Sequence, residues 1–201
     1  MKTLVIVDFQ RDFANSSGSL YVHGAEIAQQ RIIDYINKHH DELSDVVFTI
    51  DWHSINHCSF EKNNGGWPIH CVQYSEGAGI VTDLINICIC FELPIKIFIK
   101  GNKDDQEEYG AFNYIGKCWY DVDKFDIYTA NLSDNSYVRF ESTNVVVCGL
   151  AGDYCVKTTT ENLLKCKDLN VSIFEEGIAS IDNGRTLNNF ISENNLLIET
   201  I

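Results

Sequence analysis

Proline, glycine and positive charge are all scarce in this sequence of 201 residues. It has 2 prolines and 13 glycines, which excludes collagen-like order and argues against extended disorder. No stretch approaches the roughly 18 uninterrupted apolar residues of a membrane-spanning helix. Only 15 Lys and Arg stand against 29 Asp and Glu, for a net charge of −14. Because phosphate and anionic lipid surfaces require basic residues, we expect no nucleic-acid partner and no membrane partner.

Paired cysteine motifs are also missing, although the chain has 8 cysteines. No CxxC pair occurs, which argues against a zinc ribbon or a thioredoxin-like redox site. The first residues, MKTLVIVDFQRDF, contain too short an apolar run for a secretory signal. We therefore expect reduced thiols and a cytoplasmic location, with Cys88 and Cys90 as small core residues.

Short apolar, β-branched segments alternate with stretches of helical periodicity. This alternation predicts an α/β fold, with a mostly parallel sheet covered by helices on both faces. With 45% hydrophobic residues, residues 1–201 are expected to form a single domain. Residues 113–141 are the least readable and are predicted to be helix and loop. The predicted strands are 3–8, 45–51, 94–101, 144–150, 171–177 and 195–200.

Reactive side chains follow four of these predicted strands. Ligands of parallel sheets bind outside the carboxyl ends of the strands, so these positions are candidates for a site. Cys155 follows the strand 144–150 in the first turn of a predicted helix, where N–H groups and the helix dipole stabilise a thiolate. The alternative is a buried structural cysteine.

A cysteine nucleophile needs a base, and Asp8 and Lys100 both stand at strand ends. Asp8 could accept the thiol proton if burial raises its pKa, and Lys100 would stabilise both charges. Taken singly, Asp8 could be a helix cap and Lys100 a surface residue. Their convergence with Cys155 at one sheet edge favours a catalytic triad.

Three further residues suit a metal ion. Asp51 and His53 are two positions apart at a strand end and point the same way, and His70 lies in the loop segment GGWPIHC. Two imidazoles and a carboxylate suit zinc, iron or manganese with open positions for substrate. The alternative is that each histidine forms loop hydrogen bonds. His57 or Glu61 could add a fourth ligand.

Through these residues and the motifs around them, the chain resembles the nicotinamidases of the isochorismatase-like cysteine hydrolase superfamily. The resemblance covers most of the chain and keeps the order of its motifs. The matching stretches are VDFQRDF, DWHSINHCSF, WPIHCVQ, the KG at 100–101 followed by YGAF, and GLAGDYCVKTT. Gly152 and Gly110 depart from it, since many relatives have threonine and serine there. We expect both glycines to loosen their turns.

The resemblance implies a three-layer α/β/α fold with a six-stranded sheet, and hydrolysis of nicotinamide to nicotinate and ammonia. It implies Cys155 as nucleophile, Asp8 as proton carrier and Lys100 as their charge partner. It also implies a cis peptide bond between Leu150 and Ala151 that directs the N–H groups of Ala151 and Cys155 at an oxyanion.

The resemblance further implies one divalent metal ion that faces the pyridine nitrogen, with Asp51, His53 and His70 as its ligands. Zinc is the first choice for this ion, and iron and manganese are the alternatives. The fold often self-associates, so a homo-oligomer is expected. Phe13, Trp67 and Tyr109 would form an aromatic pocket wall, although plain core packing also explains them.

Two rival functions remain at this point. One keeps the fold but acts on another small amide or on isochorismate; the vinyl-ether hydrolases of the family do not need the metal ligands, so these favour the amidase. The other is a catalytically silent binding domain, against which Asp8, Lys100 and Cys155 argue.

Overall fold

The computed structural model of the protein describes residues 1–112 and 140–201. The prediction for residues 113–141 falls almost entirely outside the described residues. The described elements, in chain order, are β1 (Lys2–Val7), α1 (Arg11–Ala14), α2 (Ala25–His39), β2 (Leu43–Asp51), α3 (Thr82–Cys90), β3 (Ile95–Lys100), β4 (Asn144–Gly149), α4 (Lys157–Leu164), β5 (Asn170–Ile178), α5 (Arg185–Glu193) and β6 (Leu197–Ile198).

All six strands belong to one parallel sheet with the order β3-β2-β1-β4-β5-β6. This confirms the predicted α/β class and the six-stranded sheet. The direction of strand succession reverses between β1 and β4, and this is the position where parallel sheets form a crevice for ligands. The single-domain assignment of residues 1–201 stays a prediction, because residues 113–139 are not described.

Two apolar clusters cover the two faces of the sheet, as the nearly continuous hydrophobicity of the strands predicts. Leu4 and Ile6 of β1 belong to the cluster that contains the buried residues of α2 and α3. Val5 and Val7 belong to the opposite cluster, with the buried residues of α4 and α5. None of the described helices combines the length and hydropathy that crossing a bilayer requires.

Three details differ from the sequence predictions. The last strand is only Leu197–Ile198, shorter than the predicted 195–200, and α5 was not predicted at all. Cys88 is buried as expected, but Cys90 is exposed. The prediction for Cys90 was wrong because residues two positions apart on a helix lie on nearly opposite sides, so α3 cannot bury both.

Gly149, the last residue of β4, permits the close approach of β4 to β1 just before the predicted nucleophile turn. Its φ is +120°, and a Cβ there would lie 2.2 Å from the carbonyl oxygen of Val7. Any side chain at this position must therefore push the two central strands apart as well as strain the backbone.

We expect Gly149→Ala to lower the free energy of unfolding by about 2–4 kcal/mol, measured by urea denaturation. Gly66→Ala is the matched control, because a Cβ at Gly66 meets nothing within 4 Å. That control should change the free energy of unfolding by no more than about 0.5 kcal/mol. Equal stability of the two variants would contradict the steric argument.

Candidate active site

A buried lysine joins the predicted catalytic residues at the carboxyl edge of the sheet. The Nζ atom of Lys100, at the end of β3, lies 2.7 Å from Oδ2 of Asp8 and 2.6 Å from Oδ1 of Asp51. The same ammonium donates to the Cys155 thiol sulfur at 3.7 Å. The structure thus brings the three predicted catalytic side chains together, with one metal-ligand candidate beside them.

Burial sets the protonation of this group, since Asp8, Lys100 and Cys155 are all nearly inaccessible to solvent. Burial raises the pKa of Asp8 despite the opposing charge of Lys100. Burial opposes the charge of Lys100 as well, but the two carboxylates outweigh it and raise the lysine pKa. The pKa of Cys155 is raised by burial and by Asp8, although Lys100 opposes this. Cys155 is therefore held as a thiol, and its ionisation requires a neighbouring base.

The turn after β4 presents Cys155 to this group. A π-helical turn, Gly152–Val156, leads directly into α4, so Cys155 lies in the first helical turn as predicted. The peptide bond between Leu150 and Ala151 is cis, as the resemblance implied. Among the described residues, no acceptor takes the backbone N–H of Ala151. That N–H is free to bind an anionic oxygen.

Gly152 and Gly110, the two departures from the family pattern, leave no empty space beside them. A Cβ at Gly152 would lie 2.2 Å from Oγ of Ser180, and one at Gly110 would lie 2.7 Å from Cγ2 of Thr158. Neighbouring side chains therefore fill the room that these glycines leave, so the expected loosening of the turns finds no support.

The predicted metal ligands also converge. One ligand atom each from Asp51, His53 and His70 lie within 4.8 Å of one another, and all three residues are buried. Asp51 ends β2, and its Oδ2 lies 3.6 Å from Nε2 of His53. Burial opposes ionisation of Asp51, but Lys100 and His53 outweigh it and lower the pKa of that carboxyl group. Asp51 is thus held as a carboxylate, the form that binds a cation.

The hydrogen bonds of His53 and His70 use Nδ1 and leave Nε2 of each imidazole for an ion. Nδ1 of His53 contacts the carbonyl oxygen of Gly101 at 2.7 Å, and Nδ1 of His70 contacts that of Pro68 at 2.7 Å. Because a carbonyl oxygen only accepts, both Nδ1 atoms carry a proton, and in the neutral imidazole Nε2 keeps its lone pair. This donor set of two imidazoles and one carboxylate fits a divalent transition metal.

The two suggested fourth ligands do not join this cluster. His57 uses Nδ1 with Oγ of Ser59 at 2.7 Å and Nε2 with the carbonyl of Gln106 at 3.1 Å. Glu61 is exposed in a short 3₁₀ helix, Glu61–Asn63, and is absent from the ligand clusters found among the described residues. His57 instead stacks on His53, with ring centroids 4.0 Å apart.

Gln10 is a positioning residue that the sequence reasoning missed. Its Oε1 accepts from the N–H of Asp51 and its Nε2 donates to the carbonyl of Asp51, both at 2.7 Å. Nε2 also donates to the carbonyl of Ala78 at 2.9 Å. The motif VDFQ contains Gln10, but only the folded backbone shows that its amide fixes the end of β2.

An adjoining cavity opens to solvent over Cys155 and His70, with about 440 Å³ of empty space when the open space at its mouth is included. The predicted wall residues Phe13, Trp67 and Tyr109 all line it, and Nε1 of Trp67 donates to the Tyr109 hydroxyl at 3.0 Å. The walls of the cavity are mostly apolar, as is usual for small-molecule sites. The lining residues that the sequence reasoning did not name are Leu20, Val22, Glu107, Tyr154 and Ile181.

Comparisons with known proteins find nicotinamidases and pyrazinamidases among the similar proteins. The Saccharomyces cerevisiae nicotinamidase is 31% identical over 185 residues, covering 79% of this chain and 79% of the relative. A pyrazinamidase of Pyrococcus horikoshii, solved in complex with zinc, has a TM-score of 0.74 at 29% identity and covers 100% of this chain and 99% of its own. PnC1 from L. infantum, in complex with nicotinate, has a TM-score of 0.73 at 27% identity, with 100% and 92% covered. No model of a protein family matches the sequence.

The ligand cluster generates a prediction about metal affinity. His70→Ala removes one of three ligand candidates, so we expect zinc affinity to fall by at least about tenfold in isothermal titration calorimetry of the metal-free protein. His23→Ala is the control, because His23 is exposed and belongs to neither ligand cluster among the described residues. Equal zinc affinity in the two variants would contradict the assignment of His70.

Proposed function

The chain belongs to the nicotinamidase family, and on that premise we propose that it hydrolyses nicotinamide to nicotinate and ammonia with Cys155 as the nucleophile. The observation that carries the proposal is the meeting of the Cys155 thiol, the Lys100 ammonium and the Asp8 carboxyl group beside three metal-ligand candidates. Members of this family are amidohydrolases that act on a carboxamide, and the adjoining cavity has mostly apolar walls that suit the ring of nicotinamide.

In the first half of the reaction, Asp8 takes the proton of Cys155 and the thiolate attacks the carboxamide carbon. The raised pKa of Asp8, caused mainly by burial, makes this carboxylate a competent base for a buried thiol. Lys100 stabilises the thiolate from 3.7 Å. The oxyanion accepts hydrogen bonds from the N–H groups of Ala151 and Cys155.

Breakdown of the tetrahedral intermediate requires a proton on the nitrogen, because an amide anion is a poor leaving group. Asp8 returns the proton that it took from Cys155, ammonia leaves, and a thioester remains on the sulfur. In the second half Asp8 removes a proton from water, which attacks the thioester carbon. The thiolate then leaves and takes the proton back from Asp8, so that nicotinate is released and the Cys155 thiol and the Asp8 carboxylate are restored.

We propose zinc as the ion held by Asp51, His53 and His70. Bound there, it would supply a Lewis acid that anchors the pyridine nitrogen of the substrate. The zinc complex of the Pyrococcus horikoshii relative supports this choice over iron or manganese. The protein's own contribution is to orient the ring, with Phe13, Trp67 and Tyr109 as the walls that exclude water.

The two rival functions are less favoured. Isochorismate hydrolysis does not explain why the three metal-ligand candidates converge. A silent binding domain does not explain why Asp8, Lys100 and Cys155 are buried together. A cytoplasmic location and a small-molecule substrate remain part of the proposal, and the free state of every cysteine among the described residues supports reduced thiols. Self-association stays a prediction.

The assignment of the nucleophile is tested by ammonia release from nicotinamide. Cys155→Ala removes the attacking sulfur, so we expect activity to fall by at least about 10⁴-fold, with an unchanged circular dichroism spectrum. Cys90→Ala should keep full activity, because Cys90 is exposed on α3. Ammonia release by Cys155→Ala at the wild-type rate, or no turnover of nicotinamide by the zinc-loaded wild type, would overturn the proposal.

Metal removal gives a second test of the same function. Dialysis against a chelator should abolish ammonia release, because the substrate ring loses its anchor, and added zinc should restore it. Comparing zinc, iron(II) and manganese(II) in the reconstituted protein identifies the ion that supports the highest kcat/KM. Undiminished turnover in protein shown by elemental analysis to be metal-free would contradict the role of the ion.

A further inference from the structure

We propose that Asp12 is a positioning residue that fixes the loop carrying His70 and thereby tunes the affinity of the metal centre. The inference rests on the proposed ligand set of Asp51, His53 and His70. Asp12 does not belong to that ligand cluster. It would act only through the backbone that presents the two imidazoles.

The Asp12 carboxylate holds the peptide unit directly after His70. Its Oδ2 accepts a hydrogen bond from the N–H of Cys71 at 2.7 Å. A charged acceptor at this distance makes a stronger bond than a neutral one. Cys71 is fully buried and its φ is +45°, in the left-handed region that a non-glycine residue rarely adopts. The carboxylate therefore stabilises an unusual backbone conformation next to a ligand.

Cys71 connects this contact to the second imidazole. Its carbonyl oxygen accepts from the N–H of His53 at 3.0 Å, and the N–H of Gln73 donates to the carbonyl of His53 at 2.8 Å. The loop segment after His70 thus pairs with the segment after β2 through a short parallel bridge between His53 and Val72. A shift of the Cys71 backbone would change the distance between the two imidazoles, which the ion requires to be fixed.

Asp12 is itself held in place by surrounding backbone. Its N–H donates to the carbonyl of Gly77 at 3.0 Å, and its carbonyl accepts from the N–H of Leu20 at 3.1 Å. The three atoms nearest to a Cβ at Gly77 would all belong to the Asp12 carboxyl group, at 2.2–2.3 Å. Because Gly77 has no side chain, the Asp12 carboxyl group can occupy the space beside it.

A purely structural role for Asp12 is the competing explanation, since Oδ1 also accepts from the N–H of Ser19 at 3.4 Å. The two explanations differ in what a variant loses. A structural role lowers only the stability of the metal-free protein. A positioning role lowers the affinity for the ion, and a side chain that keeps an acceptor oxygen should restore it.

The experiment measures zinc affinity of the metal-free full-length protein by competition with a chromophoric chelator, alongside urea unfolding. We expect Asp12→Ala to lower zinc affinity by about 10- to 100-fold, the range seen when partners of metal ligands are removed. Asp12→Asn keeps an acceptor for the Cys71 N–H and should recover most of the loss. Gly77→Ala displaces the carboxyl group and should also weaken zinc binding, but it should add nothing in the Asp12→Ala background.

Asp153→Ala is the matched control. Asp153 also accepts two backbone N–H groups, from Ile181 at 3.0 Å and Asp182 at 3.1 Å, but neither belongs to the metal loop. It should lower stability and leave zinc affinity unchanged. If Asp12→Ala behaves like Asp153→Ala, or if it is unfolded while Gly77→Ala and Asp12→Asn bind zinc like the wild type, the inference is wrong. A wild type that binds no zinc would instead contradict the proposed zinc centre.

Discussion

The ammonium of Lys100 is the interaction on which the site depends. Two buried carboxylates, those of Asp8 and Asp51, lie within 2.7 Å of it, and the Cys155 sulfur lies 3.7 Å away. Without this cation the two buried carboxylates would repel each other, and one would be protonated at neutral pH. Removing one partner of a buried ion pair costs about 3–5 kcal/mol of folding stability, so the loss of any one of these three charges would destabilise the protein. Lys100 thereby links the Cys155 thiol to the candidate metal ligand Asp51.

The sheet topology brings these charged groups together, although they lie far apart in the sequence. Asp8 follows β1, Asp51 ends β2 and Lys100 ends β3, and these three strands are neighbours in the sheet. Asp51 and Lys100 are direct register partners. Cys155 enters from the other side of the switch point, after β4, which pairs with β1. Four short segments with no sequence proximity therefore share one edge simply because parallel strands end at the same side.

This geometry explains how much of the site the sequence could predict. Asp8, Asp51 and Lys100 were found because each directly follows an apolar run, and strand ends meet at one edge. The protonation of Cys155 could not be read this way, since burial and Asp8 raise the pKa of the thiol although Lys100 opposes this. Gln10 contacts the backbone of a residue 41 positions away, and Asp12 contacts the backbone of one 59 positions away. No residue pattern in the sequence reveals such backbone contacts. Tyr154 and Ile181 were missed for the same reason, because pocket walls assemble from segments distant in sequence.

The loop between β2 and α3, residues 52–81, has the least regular structure of the described site, and yet it carries His53 and His70. An irregular stretch of this length is costly to order, because each fixed residue loses about 1–2 kcal/mol of backbone entropy. Side chains from outside the loop supply part of the compensation: Gln10 bonds Asp51 and Ala78 at its two ends, and Asp12 bonds Cys71 in its middle. Both come from residues 8–13, the segment that also supplies Asp8 and Phe13. One short segment after β1 therefore carries Asp8, the candidate proton carrier, and also holds the loop that carries His53 and His70.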